Sequence, residues 1–106
     1  MAKFLFHVSY TEEGVKGVMK EGGTARLAAA QKLAQSLGGS IEVFHFAFGD
    51  TDVFTIGELP DHASAAALAL TIAASGAVTV KTTVLMTPAE IDQASKKSPI
   101  YRPPGK

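Results

Sequence analysis

A chain of 106 residues, 46% of them hydrophobic, is long enough for one domain with a modest core and too short for two. Ten Lys and Arg balance ten Asp and Glu, so no net field draws the chain onto nucleic acid or an acidic membrane surface. The absence of cysteine excludes disulfides and thiolate chemistry, and Met1-Ala2-Lys3 runs into a strand pattern instead of a signal-peptide apolar region, which makes a cytoplasmic protein the default expectation.

Lys3 to Tyr10 alternate, with Phe4, Phe6, Val8 and Tyr10 on one face and Leu5, His7 and Ser9 on the other, the period of a first strand. Glu12 to Gly23 contains Gly14, Gly17, Gly22 and Gly23 and reads as a structured loop, although Val15, Val18 and Met19 have the spacing of a short helix. Thr24 is placed to cap a helix over Ala25 to Leu37, whose Leu27, Ala30, Leu33, Ala34 and Leu37 recur at helical spacing before Gly38-Gly39. Ile41 to Phe48 and Val53 to Leu59 are strand-like and flank a Gly49-Asp50-Thr51-Asp52 turn, so they form a hairpin. Asp61 caps a second helix over His62 to Ser75, and Val78 to Met86 alternates as a fourth strand. Thr87-Pro88-Ala89-Glu90 carries the capping-box pattern of a short last helix, Pro88 to Lys96. The domain thus spans residues 1–97, and the proline-rich 98–106 is a flexible or extended tail. Ala63 to Val80 lacks charge, but a helix ending near Ser75 falls short of the ~30 Å hydrocarbon core, so no membrane span is expected.

The order βαββαβ is that of an α+β, ferredoxin-like fold: a four-stranded antiparallel sheet with two helices on one face. Its other face must be solvated or covered by something else. That face includes Leu5, His7, Ser9, Thr79, Lys81, Thr83 and Leu85, together with either Phe44 and Phe46 or Val43 and His45, depending on the register of strand two. The Phe44/Phe46 register exposes several large apolar groups together, which favours self-association, as a dimeric α+β barrel with a cavity between two sheets or as a higher oligomer.

Phe48-Gly49-Asp50-Thr51-Asp52-Val53, Glu58-Leu59-Pro60-Asp61, Glu21-Gly22-Gly23-Thr24-Ala25-Arg26 and Lys81-Thr82-Thr83 leading to Met86-Thr87-Pro88-Ala89-Glu90 resemble the GYD-domain family of small bacterial proteins. The family is named for a glycine, tyrosine and aspartate signature in the turn between strands two and three. Gly49 and Asp52 match it, and Thr51 stands where the tyrosine is expected. The resemblance implies the fold and names no reaction.

Several residues carry possible chemistry. His7 and His45 supply imidazoles that serve as base, proton shuttle or metal ligand when they share a cavity, or hydrogen-bonded sheet residues when they do not. A metal needs both histidines and a carboxylate to converge, and no spacing resembles a closed zinc site, so no metal or cofactor is expected. Asp50 and Asp52 are turn residues first; Asp52, given its place in the signature, is the candidate catalytic carboxylate at a cavity mouth. Gly22-Gly23-Thr24-Ala25-Arg26 is either ordinary loop punctuation before a capped helix or an anion site at the helix N-terminus, where Arg26, assisted by Lys20, would be the clamp; the motif lacks a P-loop ending. Lys81 either snorkels and pairs with Glu42 or Glu58, or binds an anionic or carbonyl group beside Thr83.

The expected protein is therefore an oligomeric small-molecule-binding protein or cofactor-free enzyme. His7, Lys81 and Asp52 are its catalytic candidates, with His45, Thr83 and Arg26 as ligand-binding ones. Its partners are a second copy of itself and a small anionic or aromatic molecule, with no nucleic acid and no membrane. The competing expectation is a non-enzymatic interaction module that uses the sheet face or the uncharged second helix.

Overall fold

The computed structural model describes all residues from Met1 to Lys106. They form β1 (Ala2–Tyr10), α1 (Glu12–Glu21), α2 (Gly23–Ser36), β2 (Ser40–Phe46), β3 (Val53–Leu59), α3 (His62–Ala74), β4 (Val78–Leu85) and α4 (Pro88–Ser95). The four strands make one antiparallel sheet in the order β2-β3-β1-β4, the ferredoxin-like arrangement with β1 and β3 in the centre. No helix is long and apolar enough to cross a membrane.

Alternation along the central strands builds the core. Phe4, Phe6 and Val8 of β1 and Val53 and Leu59 of β3 are buried with Ala65 and Leu68 of α3 and Val78 of β4. Leu33 and Leu37 from the α2 end and Ile72 of α3 pack against that cluster, so the helices cover the Phe4/Phe6 face. Asp61 caps α3 by accepting from the Ser64 N–H at 2.8 Å, and Thr87 and Glu90 complete a capping box on α4.

Glu12–Glu21 is a helix and not the loop its glycines suggest. Thr11 accepts from the Gly14 N–H and donates to the Ala77 carbonyl at 3.1 Å, while Glu12 and Glu13 complement the first turn. Gly14 is needed for packing: a Cβ there would lie 2.0 Å from the Ala77 carbonyl oxygen. The break falls at Gly22, whose φ of 87° is in the left-handed region, and α2 starts at Gly23 without a side-chain cap. Thr24 therefore sits inside the first turn instead of capping it.

Strand two ends at Phe46, leaving Ala47 and Phe48 in the hairpin connection. A bulge between Ile41 and Val43 sets its register. Phe44 pairs with Thr55 and Phe46 with Val53 on the helix side, whereas Val43 pairs with Ile56 and His45 with Phe54 on the open side. Of the two registers compatible with the sequence, the structure adopts the one that places Val43 and His45 on the open face; Phe44 and Phe46 lie on the helix side and do not add the apolar surface to the open face that the other register would have.

Only 12 of 106 residues are buried, and the surface is correspondingly large. The chain exposes 7400 Å² for a mass of 11.0 kDa, where a folded monomer of that mass exposes about 5,600 Å². Every residue from Met86 to Lys106 is exposed, so α4 and the tail contribute to the excess.

Candidate functional site

The open sheet face is organised in rows across the strands. His45 of β2, Phe54 of β3, His7 of β1 and Lys81 of β4 occupy one row as successive cross-strand partners. Val43, Ile56, Leu5 and Thr83 occupy the next. The His7 ring meets Phe54 edge-on, with centroids 5.3 Å apart, and is half-buried, while His45, Lys81 and Thr83 are exposed. This arrangement places an imidazole beside an ammonium group over an apolar floor of Leu5, Ile56 and Val43.

His7 and His45 are two strands apart, roughly 9–10 Å at the usual strand spacing, with Phe54 between them. They do not share a point in space. No cluster of three His, Asp or Glu side chains is placed to hold a metal ion.

Lys81 makes no ion pair with Glu42 or Glu58. Lys3 does: its Nζ lies 3.2 Å from Glu42 and 3.9 Å from Glu58. The register explains the difference, because Glu58 is opposite Lys3, whereas Lys81 is opposite His7, four residues or roughly 13 Å along β1. Lys81 is left available to a ligand or to a covering surface.

Asp52 and Arg26 belong to a different part of the molecule. One Asp52 carboxylate oxygen accepts from the Tyr10 N–H at 2.8 Å. The Asp52 N–H donates to the Val8 carbonyl at 2.9 Å, and its own carbonyl accepts from Ala47 at 2.8 Å. Through these bonds Asp52 stitches the hairpin to the end of β1, and the structure does not bring it to His7 and Lys81. Arg26 Nη1 lies 2.9 Å from Glu21 Oε1, so the expected anion clamp already holds an internal carboxylate. The bond to Glu21 raises the Arg26 pKa further.

Tyr10 joins these groups. Burial raises its phenol pKa, and the neighbouring Arg26 guanidinium opposes that rise. Two pockets meet around it on the helix side, and the single chain has none on the open face. The larger, about 360 Å³, is an apolar groove between α1 and the hairpin, walled by Val15, Val18, Met19, Phe46 and Phe48, with Asp52 at its rim. The smaller, about 300 Å³, is more polar and contains Glu13, Glu21 and Arg26.

A family model described as the GYD domain matches residues 4–95. The chain belongs to the GYD-domain family. The match runs from within β1 to the end of α4 and so includes residues of all four strands. No match was found among curated proteins or among solved structures.

Within this GYD domain, the signature aspartate, Asp52, has a structural duty as anchor of β1, and Thr51 beside it is half-buried. Tyr10 was not singled out from the sequence, although it ends the Phe4, Phe6, Val8 row and lines both helix-side pockets. The available signal was the position of a phenol at a strand end, immediately before a capping threonine. The groove itself was hidden because its wall, α1, reads as a loop when its glycines are counted.

Proposed function

We propose that this GYD domain is a self-associating small-molecule-binding protein in which a second copy covers the open sheet face and encloses a ligand between the two sheets. The observation that carries this reading is the row His45, Phe54, His7, Lys81 on a sheet face that no element of the chain covers. Phe54, Lys81 and Thr83 are exposed on that face and Leu5, His7 and Ile56 only half-buried, which leaves an apolar floor for a second sheet to cover. A half-buried imidazole, a free ammonium group and a threonine hydroxyl over apolar residues suit a small aromatic or anionic molecule.

The same set supports acid–base chemistry that uses only side chains. The His7 imidazole accepts a proton from a bound molecule, and the neighbouring Lys81 ammonium offsets the negative charge left behind. His45, one strand beyond Phe54, completes the wall, and Thr83 supplies a hydrogen-bonding hydroxyl. Asp52 has no part in this set, since its carboxylate is held by β1.

Titration of the labelled protein with benzoate, an aromatic anion, followed by heteronuclear NMR tests the reading. Shifts at His7 and Thr83 that saturate, with affinity at least tenfold weaker in Lys81→Ala, are expected. Unchanged open-face resonances, or equal affinity in the variant, would contradict it. A non-enzymatic interaction module is the second reading, favoured by one observation: both pockets of the single chain lie on the helix side. A dry sheet-to-sheet interface that excludes benzoate would be its signature.

A further inference from the structure

The C-terminal arm is the least supported part of the molecule and the groove between α1 and the hairpin is its least covered apolar surface. Isolated helices shorter than about 12–15 residues are marginal in water, yet α4 has eight residues, a complete capping box and no buried side chain. Such a helix requires a surface to pack on. Beyond it, Ile100 and Tyr101 are 102% and 74% exposed. On the other side, Met19 and Phe48 along the groove are 82% and 106% exposed, with Val15 and Phe46 only partly covered.

Charge matches the two surfaces. From Met86 to Lys106 the chain carries Lys96, Lys97, Arg102 and Lys106 against Glu90 and Asp92, so the arm is net basic. As the whole chain is neutral, the remainder is net acidic by the same amount; Asp52 stands at the groove, and Asp50 lies two residues before it in the hairpin connection. Arg102 follows Tyr101 directly, which places a cation next to the side chains that would enter an apolar groove with an acidic rim.

Topology separates the arm from its own groove. The arm leaves β4 at Leu85, opposite Lys3, whereas the groove lies at the Tyr10 end of β1 beside the hairpin. β4 and β2 are also opposite edges of the sheet. Arm and groove therefore occupy opposite corners of one chain.

We infer that the C-terminal arm of one copy docks on a second copy, with Ile100 and Tyr101 in the groove between α1 and the β2–β3 hairpin and Arg102 against Asp50 and Asp52. The groove has the volume for large apolar side chains, about 360 Å³, and Gly23 lies against the Phe46 ring at its floor. This contact uses the helix side and the arm, so it is separate from the open-face ligand site proposed above.

The cysteine-free chain provides a clean test. Phe48→Cys and Tyr101→Cys each introduce one thiol at an exposed position, which keeps both variants folded. On mild oxidation of an equimolar mixture, intact-mass analysis is expected to find the mixed disulfide several-fold above the symmetric products. Equal or lower yield of the mixed product would overturn the inference. So would an intramolecular disulfide in the Phe48→Cys/Tyr101→Cys chain that persists undiminished on dilution, because the arm would then close on its own groove. Benzoate titration at the open face reads neither thiol, so the two proposals fail independently.

Discussion

The two faces of the sheet are made by the same strands and differ in kind. On the covered face Phe4, Phe6, Val8, Val53 and Leu59 are buried side by side, and their contribution is stability. On the open face, one residue along each strand, Leu5, His7, Ile56, Thr83 and Lys81 mix apolar, imidazole, hydroxyl and ammonium groups, none of them fully buried. A strand with a period of two can serve both purposes at once, because a side chain on one face is invisible to the other. The residues that hold the fold and those that offer chemistry are therefore interleaved in sequence and separated in space.

Substitutions on the two faces should separate the two properties. Phe6→Ala, at 1% exposure in the centre of the core, is expected to cost about 3–5 kcal/mol in urea unfolding, the usual range for emptying a buried aromatic site. A loss below about 1 kcal/mol would mean that the covered face is less tightly packed than its burial indicates.

A smaller effect concerns Tyr10, at the end of the covered row. Burial raises its folded-state pKa, so its contribution is complete below the unfolded value of about 10 and is lost as pH rises through the folded value. Stability should fall above about pH 10, and Tyr10→Phe should fall less steeply than the parent across the same window. Parallel curves would show that the phenol is not the group responsible.

Smallest of all should be the effect of Lys81→Ala on unfolding, within about 0.5 kcal/mol, as for other exposed positions without a partner. Its consequence should appear in benzoate binding instead. If Lys81→Ala unfolded as readily as Phe6→Ala, the division of labour between the faces would be wrong.

The division was partly legible before the structure. Alternation in β1 and β4 separated Phe4 and Phe6 from His7, and Thr79 from Val80, because a period of two needs no knowledge of neighbours. The Asp61 and Thr87 caps were legible for the same reason: a cap is a local hydrogen bond between residues three apart. The register of β2 was not, since the bulge at Glu42 arises from pairing with β3 and has no local signature. Nor was α1, where Gly14 permits close approach to Ala77, a contact between segments far apart in the chain. The failure of Asp52 to join His7 has the same origin: its partner is the backbone of Tyr10, and backbone partners across a fold leave no mark in residue identity.

A ligand at His7 and Lys81 is enclosed only if a second copy covers surface that one chain leaves exposed. Native mass spectrometry of the purified full chain over a range of concentrations tests it directly, because subunit number and any retained small molecule are read together. A dimer or larger assembly that carries additional mass is the predicted result. A bare monomer at every concentration would contradict it, leaving His7 and Lys81 on a solvated sheet with nothing to enclose a ligand.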